Sequence, residues 1–421
     1  MVIPFKLVAL VLGVACGGMG FVGVIHATTP SQNIVQATKC DLAIPSKMEV
    51  ERTTTNINTQ RFLNKIATDL DGKFKGYAVI LTGADGRRLG FRRAGWAVDP
   101  CESDSDGEAF DLDTETAIGS VTKLFTTVAV LKVTTDSNRI ERTPMTAYLP
   151  FRWRRMAHPY YETVTTATLL QHKAGFKRDG DGEHISTRLS KGRELNTPIG
   201  TRTYSNTTIG IFHFLYARYA FLSPYHETEV KYQNSPIDTY NTEIQKRTSH
   251  YFNLGLYKRI FLPLEISATC DPRESRFPPD RNKYFPFHNV ARSYSSRTDQ
   301  SGRLLSNVTL NCAPGGLYMS TKDLAKFMSA LDDPQFLDHR QRDRMINNGN
   351  ADNLFGFWTR SGAEDGRSFV HNGYRGEGDD ASIAWVIRFP SGDHAVFTAN
   401  SPAGDADVDA TLIAAYNDAR L

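Results

Sequence analysis

The stretch SVTKLFTTVAVLKVTT, residues 120 to 135, constrains this chain more than any other. Apolar side chains run round most of its circumference, so it predicts a helix buried on nearly every side rather than one laid on a surface. Lys123 is the only charge between Ser120 and Val130. Taking an ammonium out of water is costly unless it is paired, so a lone lysine here calls for a reason. Ser120 supplies one, because residues three apart share a helix face. A serine hydroxyl beside an amine that accepts its proton becomes a nucleophile. The unpaired N–H groups at a helix start also favour negative charge there. Taken alone, the same residues fit a serine at a helix start and a snorkelling lysine.

A helix of this kind needs a sheet and other helices around it. Ile57, Phe62, Leu63, Ile66, Ala67 and Leu70 recur at helical spacing, Tyr77–Leu81 reads as a strand, and Leu89–Val98 returns as its hairpin partner. The chain ends in the same grammar: Ser382–Phe389, a turn at Pro390-Ser391-Gly392-Asp393, His394–Ala399, and a helix over about 405 to 416. Candidate helices between these ends are Thr166–Leu170, Thr207–Leu222 and Thr321–Leu331, the last capped by Ser320. The expected class is α/β (α+β), an antiparallel sheet flanked by helices, built from both chain ends with a mainly helical lobe inserted. The sheet lobe is placed at about 56–115 and 360–421, and the helical lobe at about 116–359. Whether residues 217–250 and the Pro-, Arg- and Ser-rich 271–310 close over a site stays open.

The 421 residues carry 49 Lys plus Arg against 46 Asp plus Glu, a net charge of +3 that gives no reason to expect nucleic acid. Residues 1–27 hold one cation, Lys6, followed by an uncharged run from Leu7 to Ile25 and a small-residue end at Ala27. This reads as a secretory signal peptide, followed by a polar extension over 28–55. An uncleaved single membrane anchor, or a lipid on Cys16, are the other readings. All three take the body out of the cytosol, to a secreted or periplasmic location. There, Cys40, Cys101, Cys270 and Cys312 have three pairings available. Nearness in sequence favours Cys40 with Cys101 and Cys270 with Cys312; four buried thiols is the alternative. No CxxC or close Cys/His cluster suggests a metal, and nothing calls for a cofactor. Asn307-Val308-Thr309 is a glycosylation acceptor in a eukaryotic host only.

Two further segments complete a chemical pattern. Tyr204-Ser205-Asn206 offers a phenol for proton relay and an amide that both donates and accepts. His371-Asn372-Gly373 precedes Tyr374, and a glycine there lets a substrate approach an edge strand closely. The N–H groups of Ser120 and Tyr374 would then form an oxyanion hole.

In these segments the chain resembles the serine beta-lactamase-like and penicillin-binding family. The nearest branch holds class C beta-lactamases, D-alanyl-D-alanine carboxypeptidases, D-aminopeptidases and related esterases. Ser-x-x-Lys at Ser120 and Lys123, Tyr-x-Asn at Tyr204 and Asn206, and His-x-Gly at His371 and Gly373 occur in the family's order. The flanks Ala117–Leu124, Leu169–Gly175 (with Ala174 where serine is usual), Pro314–Thr321 and Asp323–Ala325 are similar to its blocks. Phe261–Leu264 resembles its Pro-Leu-Gly-Met stretch, from which Glu265 and Ile266 depart.

The resemblance, over about residues 56–416, implies a serine hydrolase working through an acyl-enzyme on Ser120. Lys123 would be the general base, Tyr204 the proton relay, and Asn206 the group that orients lysine and substrate. His371 replaces the lysine usual in lactamases and carboxypeptidases, which argues against penicillin hydrolysis as the main task. The expected substrate is a small molecule or short peptide, with peptidase or amidase action on D-amino-acid compounds ahead of esterase, beta-lactamase and transacylase action. A non-catalytic penicillin-binding sensor is the reading from a different class. Arg375 is a candidate carboxylate grip, Tyr374, Trp358 and Phe357 are candidate pocket walls, and His172 is expected to hold a loop. The oligomeric state is not legible.

Overall fold

The computed structural model describes residues 40, 42–54, 56–102, 104–134, 137–176, 184–191, 198–273, 290–346 and 353–421. The expected signal peptide, Cys16, most of 28–45 and residues 274–289 lie outside the described residues.

The main sheet is antiparallel, ordered β1 (Ser46–Val50), β3 (Arg88–Val98), β2 (Gly76–Thr82), β11 (His394–Ala399), β10 (Asp380–Arg388), β9 (Gly366–Glu377) and β8 (Trp358–Ala363), with β4 (Glu108–Ala109) added to β3. Its centre is the pairing of β2 with β11, Thr82 opposite His394 and Tyr77 opposite Ala399, so the two chain ends meet as expected. β5 (Glu115–Ala117), β7 (Tyr318–Ser320) and β6 (Ala268–Thr269) form a small second sheet. The sheet reaches further back than expected. Within the stretch read as a polar extension, Ser46–Val50 pairs with β3, Met48 opposite Arg92. It is an edge strand with exposed and half-buried side chains, so it carries no run of apolar residues to announce it.

Alternation along the strands divides the core in two. Tyr77, Val79, Leu81, Ile383, Ile387 and Phe397 face α1 (Thr59–Leu70) and the C-terminal helix α8 (Val408–Ala419), meeting Phe62, Ile66, Leu412 and Tyr416. Ala78, Ile80, Val386 and Val396 face the other way, onto Leu124, Val128 and Phe327 of the inserted helices. The apolar helix is α2 (Thr122–Val133), and every residue from Thr122 to Leu131 is buried. Phe125 stacks on Phe327 of α7 (Thr321–Ala330), ring centres 3.7 Å apart. Ser320 caps α7, its hydroxyl accepting from the Asp323 N–H at 3.1 Å.

The single helix expected over Thr207–Leu222 is divided. α3 (Asn206–Gly210) and α4 (Phe212–Ala220) are followed by a break at Phe221, and then α5 (Leu222–Tyr232) and α6 (Ile237–Leu256). Pro224 has no N–H to give the Ala220 carbonyl and its ring crowds that carbonyl, which ends α4 there. Among the described residues, 217–250 and 290–310 do not line the cleft described below. The second stretch is tied to the sheet end instead, Tyr294 donating to Asn400 at 2.9 Å and accepting from Ala381 at 3.2 Å. Both favoured disulfides are formed, Cys40–Cys101 and Cys270–Cys312, with Cα separations of 4.8 and 5.8 Å. Among the described residues, no helix is long and apolar enough to cross a membrane.

One ion cluster staples the β10–β11 hairpin to the end of α7. Asp332 accepts from Arg388 Nε at 2.8 Å and lies 3.1 Å from His394 Nε2. Burial pushes the Asp332 carboxyl up, but the bonds from His394 and Arg388 outweigh it and hold the group down at about 2. A carboxyl depressed on folding adds stability above its unfolded pKa of about 3.9 that disappears as pH falls through the folded value. Asp332→Asn is therefore expected to cost about 2 kcal/mol at pH 7. In denaturant titrations, the gap between variant and parent should close between about pH 4 and pH 2.

Candidate active site

Ser120 does not lie in the helix proper. It sits in a 3₁₀ turn, Gly119–Val121, that feeds α2. The turn is pressed against β9 so closely that only glycines fit. Gly119 has φ +51°, and a Cβ on it would lie 2.6 Å from the Tyr374 nitrogen. A Cβ on Gly373 would lie 1.9 Å from the Ile118 oxygen and 2.8 Å from the Ser120 nitrogen. The expected close approach at Gly373 is thus made by the protein's own backbone.

The sheet register shows which way Tyr374 directs its amide. Ala381 N donates to Tyr294 O, away from β9, so odd-numbered β10 residues point their backbone groups off β9 and Ile383, opposite Tyr374, does too. The Tyr374 N–H therefore points to the other side of β9. That edge is covered by β8 only as far as Val370, and Ser120 occupies it beyond. The two residues whose backbone nitrogens were proposed from the sequence, Ser120 and Tyr374, thus meet at this contact and both line the cleft.

Lys123 is fully buried and reaches back along α2 to three acceptors. Its Nζ is 2.9 Å from Ser120 Oγ and 2.6 Å from Asn206 Oδ1, and it donates to the Pro314 carbonyl. As the neutral amine it has two N–H bonds for the Asn206 and Pro314 oxygens and a lone pair for the Ser120 proton. Tyr204 Oη is 2.5 Å from Ser120 Oγ, and the lysine nitrogen lies 4.9 Å from the Tyr204 ring centre. Three segments distant in sequence thus converge on one hydroxyl.

His371 lies beneath this group, 1% exposed. Its Nδ1 donates to the Asn372 carbonyl at 2.8 Å, which puts the proton of a neutral ring there. Burial, and then the nearby Lys123 charge, push the ring down to about 3. It supplies no positive charge at working pH. Arg375, the expected carboxylate grip, is placed against the protein's own carbonyls instead. Its guanidinium donates to the Gly316 carbonyl at 3.3 Å and to the Ser306 carbonyl, and packs 4.9 Å from the Tyr318 ring centre. It shares the inward face of β9 with His371 and Gly373, whereas Asn372 and Tyr374 face the cleft.

The cleft is about 540 Å³ and is lined by Ser120, Tyr204, Trp358, Thr359, Arg360, Val370, Asn372, Tyr374, Trp385 and Asp409. Tyr374 and Trp358 are walls as expected. Phe357 is fully buried, and its carbonyl accepts from Arg202 at 2.8 Å. Arg360 and Asp409 are ion-paired at 2.7 Å. The Pro314 carbonyl and Arg202, whose guanidinium lies 3.8 Å over Trp358, were not singled out in the sequence. A backbone acceptor carries no side-chain signature, although the Pro314-Gly315-Gly316 block marked the loop. Among the described residues, no group of three or more His, Cys, Asp or Glu side chains is placed to hold a metal ion.

Comparison with known proteins places the sequence and the fold. The sequence matches the family described as Beta-lactamase over residues 62–418. No curated protein matches the sequence. Solved structures of similar fold include a D-amino acid amidase from Ochrobactrum anthropi SV3 complexed with L-phenylalanine amide, at 18% identity and TM-score 0.59, covering 85% of this chain and 98% of that one. A penicillin-binding protein homologue from Pyrococcus abyssi, described as octameric, aligns at 17% identity and TM-score 0.58, covering 85% of this chain and 75% of that one. SurE with D-Leu aligns at 18% identity and TM-score 0.56, covering 86% and 75%.

Proposed function

The chain belongs to the Beta-lactamase family of serine hydrolases, and from that premise we propose that it cleaves small amides through an acyl-enzyme on Ser120. One observation carries the reading: Ser120 Oγ stands within hydrogen-bond reach of both the Lys123 amine and the Tyr204 phenol. As Oγ attacks a carbonyl carbon, its proton passes to Lys123. The oxygen that gains charge is met by the N–H groups of Ser120 and Tyr374, each typically worth about 3 kcal/mol in the transition state. Tyr204 hands a proton to the departing nitrogen and is made good by the proton Lys123 took up; water then attacks the ester, one of its protons returning through the same groups to Ser120 Oγ as the acid leaves.

The surroundings narrow the substrate. The neutral His371 and the tethered Arg375 leave the His371–Arg375 stretch of β9 without a cation offered to a substrate carboxylate, and Arg360 in the cleft lining is already paired with Asp409. This supports a neutral leaving group and weighs against penicillins and peptides read by their C-terminus. Trp358, Tyr374, Val370 and Trp385 offer an aromatic and apolar surface to the acyl or leaving group. The fold shared with a D-amino acid amidase makes D-aminoacyl amides the first compounds to try. Export belongs to the same proposal, supported by the uncharged Leu7–Ile25 run and by two disulfides.

The test is a panel: D- and L-aminoacyl anilides, short p-nitrophenyl esters and nitrocefin, beside labelling by a fluorophosphonate and peptide mapping. Labelling at Ser120, with anilides or esters turned over at least about tenfold faster in kcat/KM than nitrocefin, is the expected result. A chain that is never labelled and turns over nothing is a binding protein, and the proposal falls.

A further inference from the structure

We propose that His172 is a positioning residue for catalysis, the group that holds the Tyr204 phenol against Ser120. The inference rests on the hydrolase reading of the same site. Its evidence is how His172 grips both peptide neighbours of Tyr204 and the ring between them. The His172 carbonyl accepts from the Thr203 N–H at 2.8 Å, and its Nδ1 accepts from the Ser205 N–H at 3.3 Å. The imidazole lies nearly parallel to the Tyr204 ring, 22° between planes and 4.9 Å between centres. Trp358 flanks both rings, 6.2 Å from each. Backbone before, backbone after and side chain between are all fixed by one residue.

The grip depends on an uncommon backbone. His172 has φ +57°, in the left-handed region that histidine, asparagine and aspartate enter more readily than other side chains do. That conformation follows the short helix Thr166–Leu170 and turns the carbonyl and the ring toward the same strand of chain. The ring is 1% exposed. With Nδ1 accepting from a backbone N–H, the proton of the neutral ring sits on Nε2. Burial, and then the charge of Lys123, hold the imidazole well below its ordinary pKa, so it stays neutral through the working pH range. His172 is not itself among the residues that line the cleft. It reaches the cleft through Tyr204, and through Trp358 beside it.

Proton transfer is steep in distance, and a displacement of about 1 Å costs a well-aligned site on the order of 100-fold. Substitution of His172 should therefore lower kcat and leave substrate binding alone. Asparagine is the informative replacement: its Oδ1 falls near the place of Nδ1 and it tolerates the left-handed backbone, so it keeps the Ser205 bond and loses only the stacked ring. Phenylalanine does the reverse.

The experiment uses the full chain, with the best substrate of the panel above, and records kcat, KM and melting temperature for His172→Ala, His172→Asn and His172→Phe. Expected are a kcat loss of about 100-fold in His172→Ala and His172→Phe, recovery to within about tenfold of the parent in His172→Asn, and KM within about threefold throughout. A purely structural role would lower the melting temperature of all three without ordering their kcat values. If His172→Ala fails to fold, the asparagine and phenylalanine pair decides. Equal kcat in those two, or a loss carried by KM, overturns the inference. Parent protein that is neither labelled at Ser120 nor active would instead overturn the hydrolase reading beneath it.

Discussion

Ser120→Ala is expected to fold as the parent does and to lose turnover by at least about 10⁴-fold, because the atom that forms the acyl bond is gone. The deleted hydroxyl is half-buried and its loss should change stability by no more than about 1 kcal/mol. Lys123→Met should match it in activity and differ in stability. Methionine fills the same buried space with a flexible apolar chain. Yet it leaves the Asn206 and Pro314 oxygens without their donor, at a cost of about 1–3 kcal/mol. Steady-state assays and denaturant titrations on the two variants separate the effects. A Lys123→Met enzyme with a tenth or more of parental kcat would remove the amine from the mechanism.

The second large effect is expected from a single methyl group. In Gly373→Ala the new carbon would lie 1.9 Å from the Ile118 carbonyl oxygen, a distance no relaxation of side chains can relieve because both partners are backbone. Either β9 or the turn that carries Ser120 must retreat, and the Tyr374 N–H moves away from the carbonyl it is proposed to meet. Loss of one such donor costs about 10²–10³ in kcat. Overpacking at the contact adds about 1–3 kcal/mol of instability. Gly210→Ala is the control: it is a helical glycine away from β9, and the nearest atom to its added carbon is 3.7 Å away. It should leave activity intact and gain up to about 1 kcal/mol in stability. If both variants keep parental kcat, the backbone contact between the Ser120 turn and β9 has no part in the chemistry.

The residues that converge on Ser120 were legible in the sequence because each is an exception to its surroundings. A lone lysine in an apolar helix, a tyrosine and an asparagine before a helix, and a histidine ahead of a glycine-rich strand each ask for an explanation. The strands and helices of the two ends were legible for the opposite reason: β2, β3, β10, β11, α1 and α8 obey simple periods. Three kinds of feature escaped. The edge strand Ser46–Val50 is specified by pairing with β3, and its side chains barely enter the core. The break after Ala220 turns on Pro224, whose effect is felt four residues earlier. The fate of Arg375 depended on which face of β9 it occupied and on carbonyls from residues 306 and 316, contacts that no local pattern encodes. Glu265 belongs with these. It stands where the resembling family has glycine, and its backbone is left-handed, φ +51°, after Leu262–Leu264, a conformation that glycine enters without steric cost.

The pairing of β2 with β11 has a consequence for how the molecule comes into being. More than 300 residues separate the two strands at the middle of the sheet. Until β11 has been made, the β2–β3 hairpin lacks its partner in the sheet, and the β9–β10 pair has nothing to join it to that hairpin. Contacts so far apart along the chain form late and slowly. A nascent chain of this design keeps its central ribbon unmade until His394–Ala399 has been synthesised, and the segments around Ser120 are held together only once α8 has closed over the finished sheet.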